Sequence, residues 1–188
     1  MVRALKADDK PLADLIALAA FTGARIEELC NTKINNLSRG DGIRTLSVSS
    51  KSEAGNRTVP LHTSILPLVD RLAKGSKDGW LIPSTADNQY AERSVPLGKR
   101  FGRLKTKMGH GPEQVFHSVR KTVATLLEEA GCPEGVAADV VGHKKTTMTY
   151  GIYSGGAGIK KLSEWIEKAL SFPGIVIAQA ENTKEPPG

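Results

Sequence analysis

The sequence predicts a mainly α-helical α+β domain with one small antiparallel β-sheet. Several segments carry apolar residues at the spacing of an amphipathic helix, whereas one early region alternates short β-prone runs with turn residues. With 188 residues, the chain suits one domain with its own hydrophobic core. We find no internal repeat in the sequence.

The first third of the chain predicts two helices followed by the sheet. The segment that begins PLADLIALAA has helical spacing interrupted at Thr22-Gly23, which indicates helices over about residues 11–21 and 24–32. Residues 37–62 then place two turn-forming stretches, RGDG and EAGN, between short β-prone runs. We expect these runs to pair as an antiparallel meander.

Helical spacing returns in the remainder of the chain. The second of these later segments is rich in lysine and arginine and predicts a basic amphipathic helix. The predicted helices lie within residues 63–75, 94–109, 117–131, 133–143 and 159–170. We therefore expect one domain over residues 1–171 and a C-terminal tail over residues 172–188, which ends in the disorder-prone sequence ENTKEPPG.

Composition excludes several classes of protein. The two cysteines, Cys30 and Cys132, lie far apart and form no CxxC motif, which argues against a disulfide framework or a zinc site and favours a reducing, cytosolic setting. No apolar run approaches the roughly 18 residues of a membrane span, and the N-terminus lacks a signal-peptide core. The net charge of +6 permits binding to a polyanion but does not require it.

Arg25 stands two residues after Gly23, at a predicted helix start, where the helix dipole disfavours a cation. One interpretation is an ordinary surface ion pair with Glu28, three residues on. The other is a guanidinium that Glu28 holds toward a phosphate, which the planar fork binds through two hydrogen bonds. On this segment alone, the surface pair is the commoner arrangement.

Three further polar groups are candidates for binding an anion. His117 and Arg120 are three residues apart and share a helical face, although a partly buried histidine at a helix start would give the same pattern. His143 follows a glycine at the end of a short predicted helix, where histidine usually caps carbonyl groups or lies in solvent. Lys51 lies in the polar turn of the meander, where most lysines are solvated.

Residues 140–156, VVGHKKTTMTYGIYSGG, contain two tyrosines in different settings. Tyr150 lies between a threonine and a glycine, and its ring could anchor apolar packing. Tyr153 precedes Ser-Gly-Gly, where the chain can move, which makes it a candidate nucleophile. An exposed loop tyrosine is the commoner case.

In combination these motifs resemble a known family. The order TGARIEEL, SKSEAGNRTVPL, HSVR and VGHKKTTMTYGIYS is similar to the catalytic domain of the tyrosine recombinase (phage integrase) family, across about residues 10–160. The resemblance implies the fold of that catalytic core, places Glu28 at the acidic position that orients the first arginine, and requires no metal or nucleotide cofactor. It assigns catalytic roles to Arg25, Lys51, His117, Arg120, His143 and Tyr153.

The position of the tyrosine departs from the family pattern. The family nucleophile usually lies nine residues beyond the histidine of the Gly-His element, and that position is Ile152 here. Tyr153 lies ten residues beyond His143, and Tyr150 lies seven. One inserted residue explains Tyr153 more simply than a two-residue deletion explains Tyr150, so we expect Tyr153 to be the nucleophile. The Tyr-Ser ending followed by glycines also resembles bacteriophage-type integrases.

The resemblance implies that the tyrosine attacks a DNA phosphodiester, which gives a 3′-phosphotyrosyl link and a free 5′-hydroxyl. It further implies double-stranded DNA as partner, a monomer that forms a tetramer on DNA, integration or excision of a phage or mobile element, and action in the cytoplasm of a bacterial host. Since such recombinases usually carry separate N-terminal DNA-binding domains, we expect a catalytic-domain fragment or a truncated product. The tail over 172–188 is expected to be disordered or to dock on a neighbouring protomer.

The remaining basic residues near the predicted site are candidates for contacts with the DNA backbone, which would confer little sequence specificity. These are Arg57, Lys99, Arg100, Arg103, Lys144 and Lys145. Two alternatives stay open at this point: a helical DNA-binding module without chemistry, and a type IB topoisomerase, which shares the chemistry but relaxes supercoils. The complete set of basic residues and tyrosine favours an enzyme over a simple binding module.

Overall fold

The computed structural model describes residues 9–49, 56–143 and 157–172. Five of the residues singled out above lie outside these ranges: Lys51, Lys144, Lys145, Tyr150 and Tyr153.

The described residues form seven α-helices and a three-stranded antiparallel sheet, so the predicted fold class is confirmed. The helices are α1 (Lys10–Thr22), α2 (Ile26–Cys30), α3 (Leu66–Gly75), α4 (Ser94–Lys107), α5 (His117–Glu129), α6 (Glu134–Val141) and α7 (Ile159–Ala169). The strands are β1 (Leu37–Gly40), β2 (Ile43–Val48) and β3 (Arg57–Pro60), and single 3-10 turns form at Ile34–Asn36 and Thr63–Ile65.

Helix α1 forms the centre of the core. The side chain of Asp9 caps its start by accepting a hydrogen bond from the backbone N–H of Leu12 at 3.1 Å. Nearly every residue from Leu12 onward is buried, which agrees with the run of leucine and alanine in its sequence. The helix ends at Gly23, whose φ of 62° turns the chain sharply into α2.

The sheet lies against this core in the order β1-β2-β3. Leu46 in the central strand pairs with Leu37 and with Val59, and both Leu46 and Val59 are fully buried. Val48 pairs with Arg57 at the open end of the β2–β3 ladder. Arg57 is therefore the first residue of β3, where the connection from β2 ends.

Helix α7 packs against the rest of the domain through buried apolar residues such as Ile166. The carboxylate of Glu167 accepts hydrogen bonds from the backbone N–H of Thr63 at 2.6 Å and from its hydroxyl at 3.0 Å. Beyond the helix, the ring of Phe172 meets that of Phe21 edge to face at 5.0 Å. Across the described ranges, no helix combines the length and apolar character needed to span a membrane.

Candidate active site

The turn between α1 and α2 holds the first pair of the site. Arg25 is the N-cap residue of α2, and its backbone N–H donates to Glu28 Oε2 at 2.9 Å. The Nη1 atom of Arg25 donates to the other carboxylate oxygen at 2.6 Å. The Glu28 side chain is only 2% exposed, whereas that of Arg25 is 36% exposed. The i,i+3 pair thus has a buried acid and an arginine that reaches solvent, unlike an ordinary surface ion pair.

Arg57 reaches the same carboxylate from the sheet. Its Nη2 atom lies 3.2 Å from Glu28 Oε2, and its Nε donates to the carbonyl oxygen of Val140 at 2.8 Å. The side chain is 8% exposed and passes so close to Gly142 that a Cβ atom there would lie 2.7 Å from Nη1. The sequence grouped Arg57 with surface contacts to DNA, but the structure places its side chain inside the cluster, between α2 and α6.

Arg120, one turn into α5, is 2% exposed. Its Nη1 donates to the carbonyl oxygen of Gly23 at 2.7 Å, and its Nη2 donates to that of Gly142 at 3.4 Å. Among the described residues, no acceptor lies within hydrogen-bonding distance of its Nε. Arg120 therefore joins Gly23 at the end of α1 to Gly142 at the end of α6. Its Nε remains a donor without an acceptor in the part of the chain that the structure describes.

The cluster carries an excess of positive charge. The guanidinium groups of Arg25, Arg57 and Arg120 face the single carboxylate of Glu28, so two positive charges are left uncompensated by it. Burial lowers the pKa of Arg120 to about 10, and the charges of Arg25 and Arg57 act in the same direction. Arg120 remains protonated at neutral pH. A cluster of this kind attracts an anion.

Glu28 stays ionised although it is buried. Burial raises its pKa, but the hydrogen bond from the Arg25 backbone and the charge and hydrogen bond of Arg57 outweigh burial, so the pKa falls below its usual value. Glu28 can therefore hold both arginines at all pH values near neutrality.

Two histidines face this cluster from its exposed side. His117 is the first residue of α5, and His143 follows the end of α6, where its backbone N–H donates to the carbonyl of Ala138 at 3.0 Å. Burial lowers the pKa of both imidazoles, and the charges of Arg120 and Arg25 lower both further. Both histidines are consequently neutral at pH 7, with one N–H donor and one acceptor nitrogen each.

The structure thus brings together six of the residues singled out in the sequence, from four separate parts of the chain. They are Arg25, Glu28, Arg57, His117, Arg120 and His143. In addition, the carboxylate of Asp139 on α6 accepts a hydrogen bond from the backbone N–H of Ala157 at 2.8 Å. The residues on either side of the 144–156 segment are therefore both bonded to α6.

The three basic side chains of α4 that the sequence predicts to contact DNA divide into two groups. Arg100 forms an ion pair with Asp9, the residue that caps α1. Lys99 and Arg103 are exposed and lie one turn apart, and in the part of the chain that the structure describes neither contacts a carboxylate. These two are free to meet a polyanion, whereas Arg100 is already paired.

Sequence reasoning missed the contacts that hold the cluster together. Gly23 was recognised only as a helix break and Gly142 only as the residue before a histidine, yet their carbonyl groups hold Arg120. A glycine two residues before Arg25 and another directly before His143 were the available signal. The inward position of Arg57 had no comparable signal, because a strand residue can face either side of its sheet.

Comparisons with known proteins point to one family. Residues 1–156 match the model of the phage integrase family. The chain is 25% identical over 185 residues to prophage integrase IntF of Escherichia coli, a match that covers 93% of this chain and 38% of that protein. It spans between 32% and 58% of the length of four curated relatives that it matches.

Solved structures share the fold. The integrase of mycobacterium phage Brujita has a TM-score of 0.66 and 22% identity, and the match covers 89% of this chain and 54% of that one. A lambda integrase tetramer bound to a Holliday junction has a TM-score of 0.59 and 23% identity, with coverage of 78% and 45%. At these identities the likeness shows the fold, which is that of the expected catalytic core.

Proposed function

This chain belongs to the phage integrase family, and on that premise we propose that it is the catalytic domain of a site-specific DNA recombinase. The domain, over residues 1–171, cleaves and rejoins DNA through a 3′-phosphotyrosyl intermediate and uses neither ATP nor a metal ion. Its role is the integration or excision of a phage or other mobile element in the cytoplasm of a bacterial host.

The observation that carries this proposal is the cluster of three guanidinium groups around one buried carboxylate. Negative charge builds up on the non-bridging oxygens of a phosphodiester when a nucleophile attacks the phosphorus atom. Donors already fixed at those oxygens lower the barrier, by about 3 kcal/mol for each donor in measured cases. Arg25 combines partial exposure with a rigid hold by Glu28, which suits a group that must meet DNA in a fixed orientation.

In this proposal Arg25 and Arg120 bind the two non-bridging oxygens. His143, neutral at pH 7, donates one further hydrogen bond to the same phosphate. Glu28 does not touch the phosphate and acts by orienting Arg25. These assignments follow the order of the motifs and agree with the charges and contacts of the cluster.

The proton transfers involve residues outside the described ranges. The phenol of Tyr153 has an ordinary pKa near 10 and must lose its proton as its oxygen bonds to phosphorus. His117, whose pKa is lowered so that its imidazole is neutral and has an acceptor nitrogen at pH 7, takes that proton. As the bond between phosphorus and the 5′-oxygen breaks, Lys51 supplies a proton to the leaving oxygen. The reverse reaction with another strand's 5′-hydroxyl restores the phosphodiester.

We further propose that the chain is monomeric alone and forms a tetramer on double-stranded DNA. The lambda integrase to which it is similar was solved as a tetramer on a Holliday junction. Lys99 and Arg103 on α4 then contact backbone phosphates, together with Lys144 and Lys145, which follow His143 in the sequence. Light scattering that shows a stable tetramer without DNA would contradict this assembly.

The test is covalent capture of DNA. A pool of nicked duplexes with a randomised cleavage region, which covers many candidate target sequences, is incubated with the protein. Adducts are then isolated on denaturing gels and sequenced. We expect an adduct with the wild type and with Tyr150→Phe, and none with Tyr153→Phe. An adduct that survives in Tyr153→Phe and disappears in Tyr150→Phe reassigns the nucleophile. DNA binding without any adduct would leave only the binding-module alternative.

A further inference from the structure

Arg57 makes contacts that a residue of the DNA-binding surface would not need. Its side chain is 8% exposed, its Nη2 lies beside Glu28, and its Nε donates to Val140. Burial lowers its pKa, while the charge of Glu28 and the hydrogen bond to it act in the opposite direction. An arginine whose Nε and Nη2 already donate to acceptors within the protein has few N–H donors left for a phosphate.

The contact between Arg57 and Glu28 affects how far Glu28 neutralises the positive charge of Arg25. Glu28 bonds Arg25 through Oε1 and Arg57 through Oε2, so one buried carboxylate is shared by two guanidinium groups. If Glu28 faced Arg25 alone, the two opposite charges would cancel. With Arg57 also present, the group of three keeps a net positive charge, and Arg25 is held by a single side-chain nitrogen.

The second contact fixes the end of α6. Val140 lies three residues before His143, and the guanidinium of Arg57 packs directly on Gly142 between them. Arg57 itself is anchored in the sheet, where it pairs with Val48. The side chain of Arg57 therefore holds two elements in place: the helix that carries Glu28, and the end of α6 that leads to His143.

We propose that Arg57 is a positioning residue of the phosphate site: it balances Glu28 so that Arg25 keeps its charge for DNA, and it holds the end of α6 so that His143 stays beside Arg120. This inference rests on the function proposed above. It separates Arg57 from the DNA-backbone contacts, because Arg57 acts through other side chains and not on the phosphate.

The test compares Arg57→Gln and Arg57→Lys in the whole chain, with Arg44→Gln as the control. Arg44 lies on the neighbouring strand and pairs with Asp70 at 2.9 Å, away from the cluster. We expect Arg57→Gln to slow adduct formation by about 10- to 100-fold, the range found when residues that orient metal ligands are removed.

A titration of the histidines by NMR gives a second readout on the free protein. Burial lowers the pKa of His143, as do the charges of Arg120, Arg25, His117 and Arg57. Arg57→Gln removes one of these charges, so the titration midpoint of His143 should rise. Arg57→Lys keeps the charge but loses one contact, so it should restore the midpoint and only part of the rate.

The outcomes are distinguishable. A rate in Arg57→Gln equal to that in Arg44→Gln overturns the inference. If the wild type forms no adduct, the proposed function fails, and the His143 titration still decides: an unmoved midpoint in Arg57→Gln overturns the inference, and a raised midpoint that Arg57→Lys restores supports it.

Discussion

The Nη1 atom of Arg120 donates a hydrogen bond to the carbonyl oxygen of Gly23 at 2.7 Å, across 97 positions of the sequence. Gly23 has a φ of 62°, a conformation that side-chain-bearing residues rarely adopt. The turn that it forms leads within two residues to Arg25. The same glycine therefore aligns one arginine of the cluster through the backbone and holds another through its carbonyl group.

We predict that Gly23→Ala destabilises the fold and slows DNA cleavage. The left-handed backbone costs an alanine roughly 1–2 kcal/mol. The new Cβ would also lie 3.1 Å from Val141 Cγ1 and 3.2 Å from Val123 Cγ1. Urea denaturation should show a loss of about 2–3 kcal/mol in the free energy of unfolding.

Gly131→Ala is the matched control for that prediction. Gly131 also has a positive φ, of 80°, but no atom lies within 4 Å of the position its Cβ would take. Gly131→Ala should lose only the free energy of unfolding that the left-handed backbone costs an alanine, and it should keep full activity. If both variants lose equal stability, packing around Gly23 contributes nothing.

A second prediction concerns the buried carboxylate. Removing one partner of a buried ion pair typically costs about 3–5 kcal/mol, so Glu28→Gln should be strongly destabilised at pH 7. Although burial raises the pKa of Glu28, its bonds to Arg25 and Arg57 bring the net value below the ordinary 4.5. The stabilisation is therefore complete above pH 4.5 and is lost as the pH falls through the lower folded value.

The measurement is the difference in free energy of unfolding between wild type and Glu28→Gln, over a pH series from 7 to 3. The difference should shrink as Glu28 becomes protonated in the wild type. Glu27→Gln, an exposed change on the same helix, should stay within about 0.5 kcal/mol of the wild type. A difference that does not vary with pH would mean that the charge of Glu28 does not stabilise the fold.

The parts of this molecule that sequence patterns predicted are those with local causes. Helix α1 follows from its apolar spacing, and the pairs Arg25–Glu28 and His117–Arg120 follow from three-residue spacing on a helix. Even here the structure differs from the prediction, in the bounds of one helix. The second helix, expected over about 24–32, covers only Ile26–Cys30, because Arg25 is extended and gives its backbone N–H to Glu28.

The links between elements could not be predicted in the same way. Arg57 contacts Glu28 at a separation of 29 residues and Val140 at a separation of 83. Such contacts depend on how the sheet packs against α2 and α6, which no local pattern encodes. Arg100 shows the same limit: its helix face predicted a free cation, but packing of α4 beside the start of α1 pairs it with Asp9.

A third prediction follows from the two histidines of the cluster. Burial and the charges of Arg120 and Arg25 lower the pKa of His117 and His143 in the folded protein below the ordinary 6.5. Below pH 6.5 the unfolded chain therefore binds more protons at these positions than the folded one does. Stability should fall as the pH decreases from 7 through this range.

Denaturation at pH 7.5, 6.5 and 5.5 measures this effect. In His143→Gln one of the two groups is absent, so the loss of stability between pH 7.5 and 5.5 should be smaller than in the wild type. DNA cleavage by the wild type should also slow over the same range, since protonated His117 cannot accept the proton of the nucleophile. An equal or steeper loss of stability in His143→Gln would contradict the prediction.

The last prediction separates the basic residues of α4 by their partners. Lys99 and Arg103 are exposed, whereas Arg100 is paired with Asp9. Each phosphate contact contributes about 0.9 to the slope of log affinity against log salt concentration. Lys99→Ala and Arg103→Ala should each reduce that slope by about 0.9, and Arg100→Ala should leave it nearly unchanged.

Asp9→Asn also tests whether Arg100 differs from Lys99 and Arg103, because it changes the partner of Arg100 and leaves Arg100 itself in place. Asparagine caps a helix as well as aspartate does, so α1 should keep its stability while Arg100 loses its counter-charge. Fluorescence anisotropy with a labelled duplex should then show tighter binding and a slope steeper by up to about 0.9. If Arg100→Ala weakens binding as much as Lys99→Ala does, phosphates displace Asp9 from Arg100, and their ion pair belongs only to the DNA-free protein.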